Sequence, residues 1–241
     1  MAFIHGKSAQ VLHGAYDLTS FLNEATASQE VETAETTVFG NSAKTYIVGL
    51  KDGTVSASGM FDGAANAVDE VLAGTVGSDT LAPVTVGYEG LALGKRVSLL
   101  MAKTTSYEVS SPVGDVVSVS YDAQSDGGID QGVSLAALAS VSATTTGSSH
   151  DNSASSANGG VAQLHVTANT WNASTTLKVQ HSADNSTWAD LATFTVVLTT
   201  VKTSERVIVA SGTTVNRYLR AVATLSAGTG AITYQISFAR R

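Results

Sequence analysis

The five histidines, His5, His13, His150, His165 and His181, are the residues best suited to metal binding or proton transfer. None stands at ligand spacing from another histidine, or from a carboxylate on a shared helical face, so solvated or assembly-contact roles are expected. Asp126 and Asp130, set among glycines in QSDGGIDQG, look faintly like a calcium loop but lack its spaced oxygen ligands and closing glutamate. Asp69-Glu70 would point in different directions on a helix. Glu30, Glu32 and Glu35 have the mixed spacing of a solvated acidic stretch rather than an acid/base dyad. Serine is abundant, yet no Gly-x-Ser-x-Gly elbow occurs, and the absence of cysteine removes thiolate metal sites and nucleophiles. Ser226-Ala227-Gly228-Thr229-Gly230 links two strands and reads as a hairpin loop, not a phosphate cradle. No catalytic residue, cofactor or metal site is expected.

Trp171 and Trp188 leave two readings open. An indole beside an Asp/Asn turn, as in HSADNSTWADL, can stack on a sugar; more often it closes the edge of a sandwich core. Asn172-Ala173-Ser174 and Asn185-Ser186-Thr187 fit the glycosylation sequon, but residues 1–9 lack the apolar core of a signal peptide, so both read as chance matches. No apolar run approaches the roughly 20 residues that span a bilayer, and no membrane contact is expected.

The elements around these residues are mostly strands. Charged residues make up only 14% of the 241, well below the roughly 25% of an average soluble protein, and Thr, Ser, Ala, Val and Gly take their place. That is the composition of sheets whose solvated faces are hydroxylic. Residues 1–138 carry 16 acids and 6 bases, net −10, whereas residues 139–241 carry 4 acids and 7 bases, net +3. The asymmetry predicts two units, and it argues against nucleic-acid binding by the first. The first unit is expected over 1–138, a Ser/Thr/Asn/Gly-rich linker or loop over 139–160, and a second unit over 161–241.

Within the first unit, an arm (residues 1–14) precedes Tyr16-Asp17-Leu18-Thr19-Ser20-Phe21-Leu22. Residues 24–37 read as a long loop or an edge segment. Asp52-Gly53 between alternating runs over 44–50 and 54–61 predicts a tight hairpin turn, since glycine accepts the positive φ of a primed turn. Asp62 is placed to cap a helix over 64–73 that buries Ala64, Ala67, Val68, Val71 and Leu72 and stops at Gly74. Strands follow over 82–88, 96–103 and 114–123, and residues 124–132 read as a turn-rich break. In the second unit, Leu164, Val166, Leu177, Val179, Phe194, Val196, Leu198, Leu219, Ile232, Tyr234, Ile236 and Phe238 alternate with polar residues, which predicts a small antiparallel sandwich.

The first unit resembles the phage major tail proteins, the tail tube subunits of long-tailed, non-contractile phages. The resemblance covers roughly residues 10–132 and is carried by short strings in order: Asp17-Leu18-Thr19; Glu35-Thr36-Thr37-Val38-Phe39-Gly40; Lys44-Thr45-Tyr46; Gly49-Leu50-Lys51-Asp52; and Ser58-Gly59-Met60-Phe61-Asp62-Gly63. It implies a β-barrel or sandwich with one short helix, built into stacked hexameric rings that make a tube for DNA. The second unit departs from the minimal pattern and is expected as an immunoglobulin-like β-sandwich decorating the exterior. Assembly contacts would then fall at Asp17, Leu18, Thr19, Phe39, Gly40, Tyr46, Asp52, Gly53, Phe61 and Asp62, with possible surface contact at Trp171 and Trp188. Partners would be other copies of the chain, the tape measure protein and transiting DNA without specific binding, and weakly a cell surface. The chain would be made in the bacterial cytoplasm and located in the virion tail. A capsid decoration or tail-fibre protein, and a carbohydrate-binding module, remain the alternatives.

Overall fold

Alternation at period two dominates this chain, and the computed structural model, which describes residues 5–241, turns it into antiparallel strands. In order these are β1 (Gln10–His13), β2 (Tyr16–Asp17), β3 (Leu22–Glu35) and β4 (Tyr46–Met60), then the helix α1 (Val68–Ala73) and β5 (Ala82–Gly87), β6 (Arg96–Ser110) and β7 (Ser118–Val141). The short β8 (Thr145–Thr146) and β9 (His150–Asp151) lead to β10 (Gly160–Asn169), β11 (Thr175–Ser182), β12 (Ala189–Thr193), β13 (Thr203–Val209), β14 (Tyr218–Leu225) and β15 (Ile232–Arg240). A 10-stranded sheet runs β13-β10-β15-β7-β6-β5-β1-β2, with β4 also on β7 and β3 outside β4; a 5-stranded sheet runs β12-β11-β14-β8, with β9 also on β14. The described residues are thus mainly β, with two sheets and one short α-helix. No helix among the described residues is long and apolar enough to cross a membrane.

β7 organises the large sheet. One edge pairs with β6 from Ser118 to Val133; the other pairs with β4 over Ser118 to Gln124 and with β15 over Val133 to Val141. The strand crosses the boundary expected at residue 138, so both halves of the chain share one ladder. Residues 124–132, expected as a turn-rich break, form a bulge inside this strand. Gly127 and Gly128 take φ of 85° and 79°, and the register slips between Leu99↔Asp130 and Met101↔Asp126. Positive-φ glycines loop the chain out, but β6 holds both flanks, so the strand resumes instead of turning back.

The first half curls without closing into a barrel. Among the described residues β3 pairs only with β4 and β2 only with β1. The intervening segment stitches them together through Leu18 N–H to Val11 C=O (3.0 Å) and Met60 N–H to Phe21 C=O (2.8 Å). Val68, Val71 and Leu72 of α1 pack against Leu18, Val55, Val84, Val86, Leu100 and Tyr121 beneath the curl. The helix is shorter than expected because Asn66 sits at φ 64°, which no continuing α-helix allows. Asp62 accepts the Ala64 N–H (2.8 Å), while the N-cap is Ala67. Part of the expected N-terminal arm, residues 1–4, lies outside the described residues. Its later part is β1, paired with β5 and with Val11, Leu12 and His13 buried, so it is not a free arm.

In the second half β13, β10, β15 and the end of β7 face β12, β11 and β14 across a core of Leu164, Val166, Leu177, Phe194, Leu219, Ile236 and Phe238. The sandwich expected from alternation is present. β10 differs from the expected half-buried strand: Gly160 through Val166 are all buried, because its polar face lies against the first half.

The tight turn expected at Asp52-Gly53 does not form. Both residues lie inside β4, opposite Glu30 and Gln29 of β3, and the chain reverses over residues 36–45. Gly53 has no positive φ; its role is to admit Ile129, whose Cγ1 would lie 2.7 Å from an added Cβ. Gly53→Ala should therefore destabilise the fold by about 1–3 kcal/mol through overpacking. Ile129→Ala in the same chain should recover part of that loss. Urea midpoints of the two single variants and the double variant measure the coupling, which a turn glycine would not show.

Candidate assembly interface

The distal part of the β3–β4 hairpin stands clear of the body. Its base is anchored where Asp52 Oδ1 accepts the Gly53 N–H (2.7 Å) and a bond from the Gln124 side-chain amide. Beyond that point every residue of both strands is exposed, from Ser28 to Glu35 and from Tyr46 to Asp52. Thr33↔Val48, Ala34↔Ile47 and Glu35↔Tyr46 continue the ladder past a bulge at Val31/Thr33. The tip is tied by Thr36 N–H to Thr45 C=O (2.8 Å), by the Thr36 and Thr45 hydroxyls (3.1 Å), and by an exposed Lys44–Glu35 ion pair at 3.1 Å. Gly40 turns the tip at φ 95°.

A two-stranded ribbon without a core beneath it is marginally stable in water. This one nevertheless presents Phe39, Tyr46, Ile47, Val48 and Leu50 to solvent, with Val48 and Leu50 about three-quarters exposed and Phe39 fully so. An exposed apolar patch on an extended ribbon is the signature of a surface that another molecule covers.

Below the ribbon the sheet has two unlike faces. Ala25, Ala57 and Tyr121 follow one another across β3, β4 and β7 on the face turned to the core. The opposite face carries rows across four strands: Glu24–Ser58–Ser120–Glu108 and Thr26–Ser56–Asp122–Ser106. Ser28–Thr54–Gln124–Lys103 forms a third row, and the Lys103 ammonium is paired with Asp79 at 3.0 Å. The Ser56 and Ser106 hydroxyls donate to Asp122 at 2.6 and 2.8 Å and hold its carboxyl below the usual carboxylate range. The result is a hydroxylic face with a negative bias.

The residues expected at assembly contacts separate into three places. Asp17, Leu18 and Thr19 form a structural turn: Asp17 Oδ1 accepts the Thr19 N–H (3.0 Å), Thr19 Oγ1 accepts the Val11 N–H (3.1 Å), and Leu18 is core. Phe39, Gly40 and Tyr46 lie on the exposed ribbon, and Asp52 and Gly53 at its base. Phe61, partly exposed, donates its N–H to Val117 C=O (3.0 Å) where β4 ends, and Asp62 follows it. Ile47, Val48 and Leu50 are exposed beside Tyr46, which the sequence does not signal, because alternation assigns one face of such a strand to a core.

Trp171 is buried, whereas Trp188 is half-buried with the Arg220 guanidinium 4.0 Å over its ring. The expectation of solvated or contact histidines fails for two of the five: His13 and His165 are buried, since each strand packs on both faces. Asp130 binds Arg206 and Arg241, so its oxygens serve guanidinium groups. Among the described residues no group of three or more His, Cys, Asp or Glu could hold a metal ion.

Residues 32–50 are exposed, and among the described residues their side-chain hydrogen bonds and ion pairs stay within the ribbon, so removing them should leave the body intact. Replacing residues 32–50 by Asn-Gly should keep the thermal midpoint within about 3 °C, equivalent to about 1 kcal/mol in a chain of this size. A calorimetric scan decides, and a large drop would show that the ribbon supports its own subunit.

No family model matches the chain, and no curated protein matches it. Among solved structures it is similar to a chain of the virion of a native gene transfer agent particle, at 17% identity and a TM-score of 0.43, covering 54% of this chain and 98% of that one. It is also similar to a chain of the tail of an empty gene transfer agent particle with C6 symmetry, at 16% identity and a TM-score of 0.42, covering 53% and 97%. The Dit protein of SPP1, described as a hub of the adsorption apparatus of phages infecting Gram-positive hosts, aligns over 96% of this chain and 98% of its own at 14% identity and a TM-score of 0.37.

Proposed function

We propose that this chain is a non-enzymatic structural subunit of a phage tail, assembling into stacked hexameric rings that form the tube through which DNA passes. The observation that carries the reading is the β3–β4 ribbon, exposed on both faces and presenting Phe39, Tyr46, Ile47, Val48 and Leu50, in a chain whose order of short motifs resembles that of tail tube proteins. Copies of the chain are the partners that would cover it. The edge of β3, 14 residues long with no strand outside it among the described residues, would pair with a neighbouring subunit and so remove an open sheet edge.

The hydroxylic face with Glu24, Glu108 and Asp122 would then line the channel. Phosphates are repelled by carboxylates, and seryl and threonyl hydroxyls provide no ion pair on which DNA would stall. The more basic sandwich would decorate the tube exterior, and the tape measure protein would occupy the lumen before DNA enters.

Negative-stain electron microscopy of the purified chain tests the reading. Rings or tubes are expected, and a chain that stays monomeric at all concentrations would sink it. Phe39→Ser with Val48→Ser and Leu50→Ser should leave the monomer's stability within about 0.5 kcal/mol, as exposed substitutions do, and abolish assembly. A second outcome concerns the channel. Tubes carrying Glu108→Lys and Asp122→Lys should retain short duplex DNA at low salt, whereas unaltered tubes should not. Equal retention by both would place this face elsewhere.

A further inference from the structure

The polar face of β10 is sealed against the first half of the chain, and it carries a fully buried histidine. His165 Nδ1 lies 2.7 Å from the Gly14 carbonyl, which can only accept, so Nδ1 bears the proton. Nε2 is then an acceptor. It faces the Thr85 hydroxyl at 2.7 Å and the Gln163 side-chain amide at 3.3 Å. Gln163 also donates to Val84 C=O and Thr85 Oγ1, both at 2.8 Å. Those two bonds use both amide protons of Gln163, so the Thr85 hydroxyl is the donor to the Nε2 lone pair, and it keeps this acceptor only while the imidazole is neutral.

Every element packed here adds to that constraint. From β1, His13 is buried with its ring edge-on to Tyr121 of β7 at 5.5 Å, and its Nε2 has no hydrogen-bond partner among the described residues. From β13, Ser204 and Glu205 flank the register, Glu205 turning to Thr195, and Arg206 reaches Gln163 Oε1 at 3.1 Å while bound to Asp130. Gln235 of β15 lies opposite His165, and Tyr16 of β2 is covered by the Lys202 ammonium at 5.0 Å. The groups nearest to His165 thus include a second histidine and, one side chain away, a guanidinium. No carboxylate among the described residues is bonded to either imidazole.

We infer that His165, with His13, is an acid-sensitive latch that ties the β1–β2 turn of the curled sheet to β10 of the sandwich. Protonation of Nε2 turns it into a donor, takes the acceptor from the Thr85 hydroxyl and places a charge where water is excluded. The Gly14–His165 bond then opens and β1 frays from β5, while β11 and β14 stay closed. The inference rests on this seam and holds whether or not the chain forms a tube.

Burial, the largest cause in both, lowers His165 and His13 to about 4 from the ordinary 6.5. Opening therefore takes up protons. Above pH 6.5 the latch is at full strength, and between pH 6.5 and 4 it weakens by up to about tenfold per pH unit for each histidine.

Amide hydrogen exchange on the full-length chain, corrected for intrinsic pH dependence, reads this directly. Protection of residues 10–14 should fall between pH 6.5 and 4.5 by well over tenfold relative to residues 177–181 and 219–223. In the double variant His13→Phe, His165→Asn, whose asparagine amide keeps a donor for Gly14, that selective loss should vanish. If the double variant does not fold, nitrogen-15 imidazole spectra of the unaltered chain decide: His165 should remain the neutral Nδ1–H tautomer down to about pH 5. Unchanged relative protection, the same loss in the double variant, or an ordinary titration of His165 near 6.5 would each overturn the latch.

Discussion

The rest of the structure depends on the double pairing of β7. A single strand of 24 residues gives one edge to β6 and divides the other between β4 and β15. Because backbone hydrogen bonds continue through it, the curled sheet and the sandwich share a common ladder. The Gly127-Gly128 bulge lets the strand change partners without ending. Asp130, just past the bulge, binds Arg206 of β13 and Arg241, so the place where the ladder is least regular is also where charge crosses between the halves.

That shared strand explains why β10 can be buried on both faces. Its apolar side chains fill the sandwich core, and Gln163 and His165 face β1 and β5. Buried amide and imidazole groups are tolerated because nearly every donor finds an acceptor; unpaired, each would cost about 1–3 kcal/mol. The same completeness restricts the site to one protonation state.

The ribbon shows the reverse condition. Where β4 leaves the sheet, no second layer covers it, and the alternation that buries Val55 and Ala57 leaves Val48 and Leu50 in solvent. A low-charge sequence makes both outcomes possible. Hydroxylic faces with few lysines and glutamates can border water or another subunit at small conformational-entropy cost.

Much of the fold was legible in the residues themselves. Period-two alternation identified β10, β11, β14 and β15, although the strand expected at Phe194, Val196 and Leu198 lies past the end of β12 with Val196 and Leu198 exposed; the lack of steady periodicity marked β3 as an edge segment or loop; the Val68–Val71–Leu72 stripe identified the helix; the absence of cysteine excluded thiolate chemistry. These features are local, and local sterics and burial are written in neighbouring residues. Location was not local. Asp-Gly has the same composition whether glycine supplies a positive φ or makes room for Ile129, and only the packed partner distinguishes the two. A histidine in an alternating strand is polar to its neighbours in sequence, yet whether its face meets water or Gly14 depends on a contact 151 positions away. The sequence by itself determined that this chain builds antiparallel sheets with hydroxylic faces; the tertiary structure decided which faces are covered, because burial is a property of what packs across from a strand.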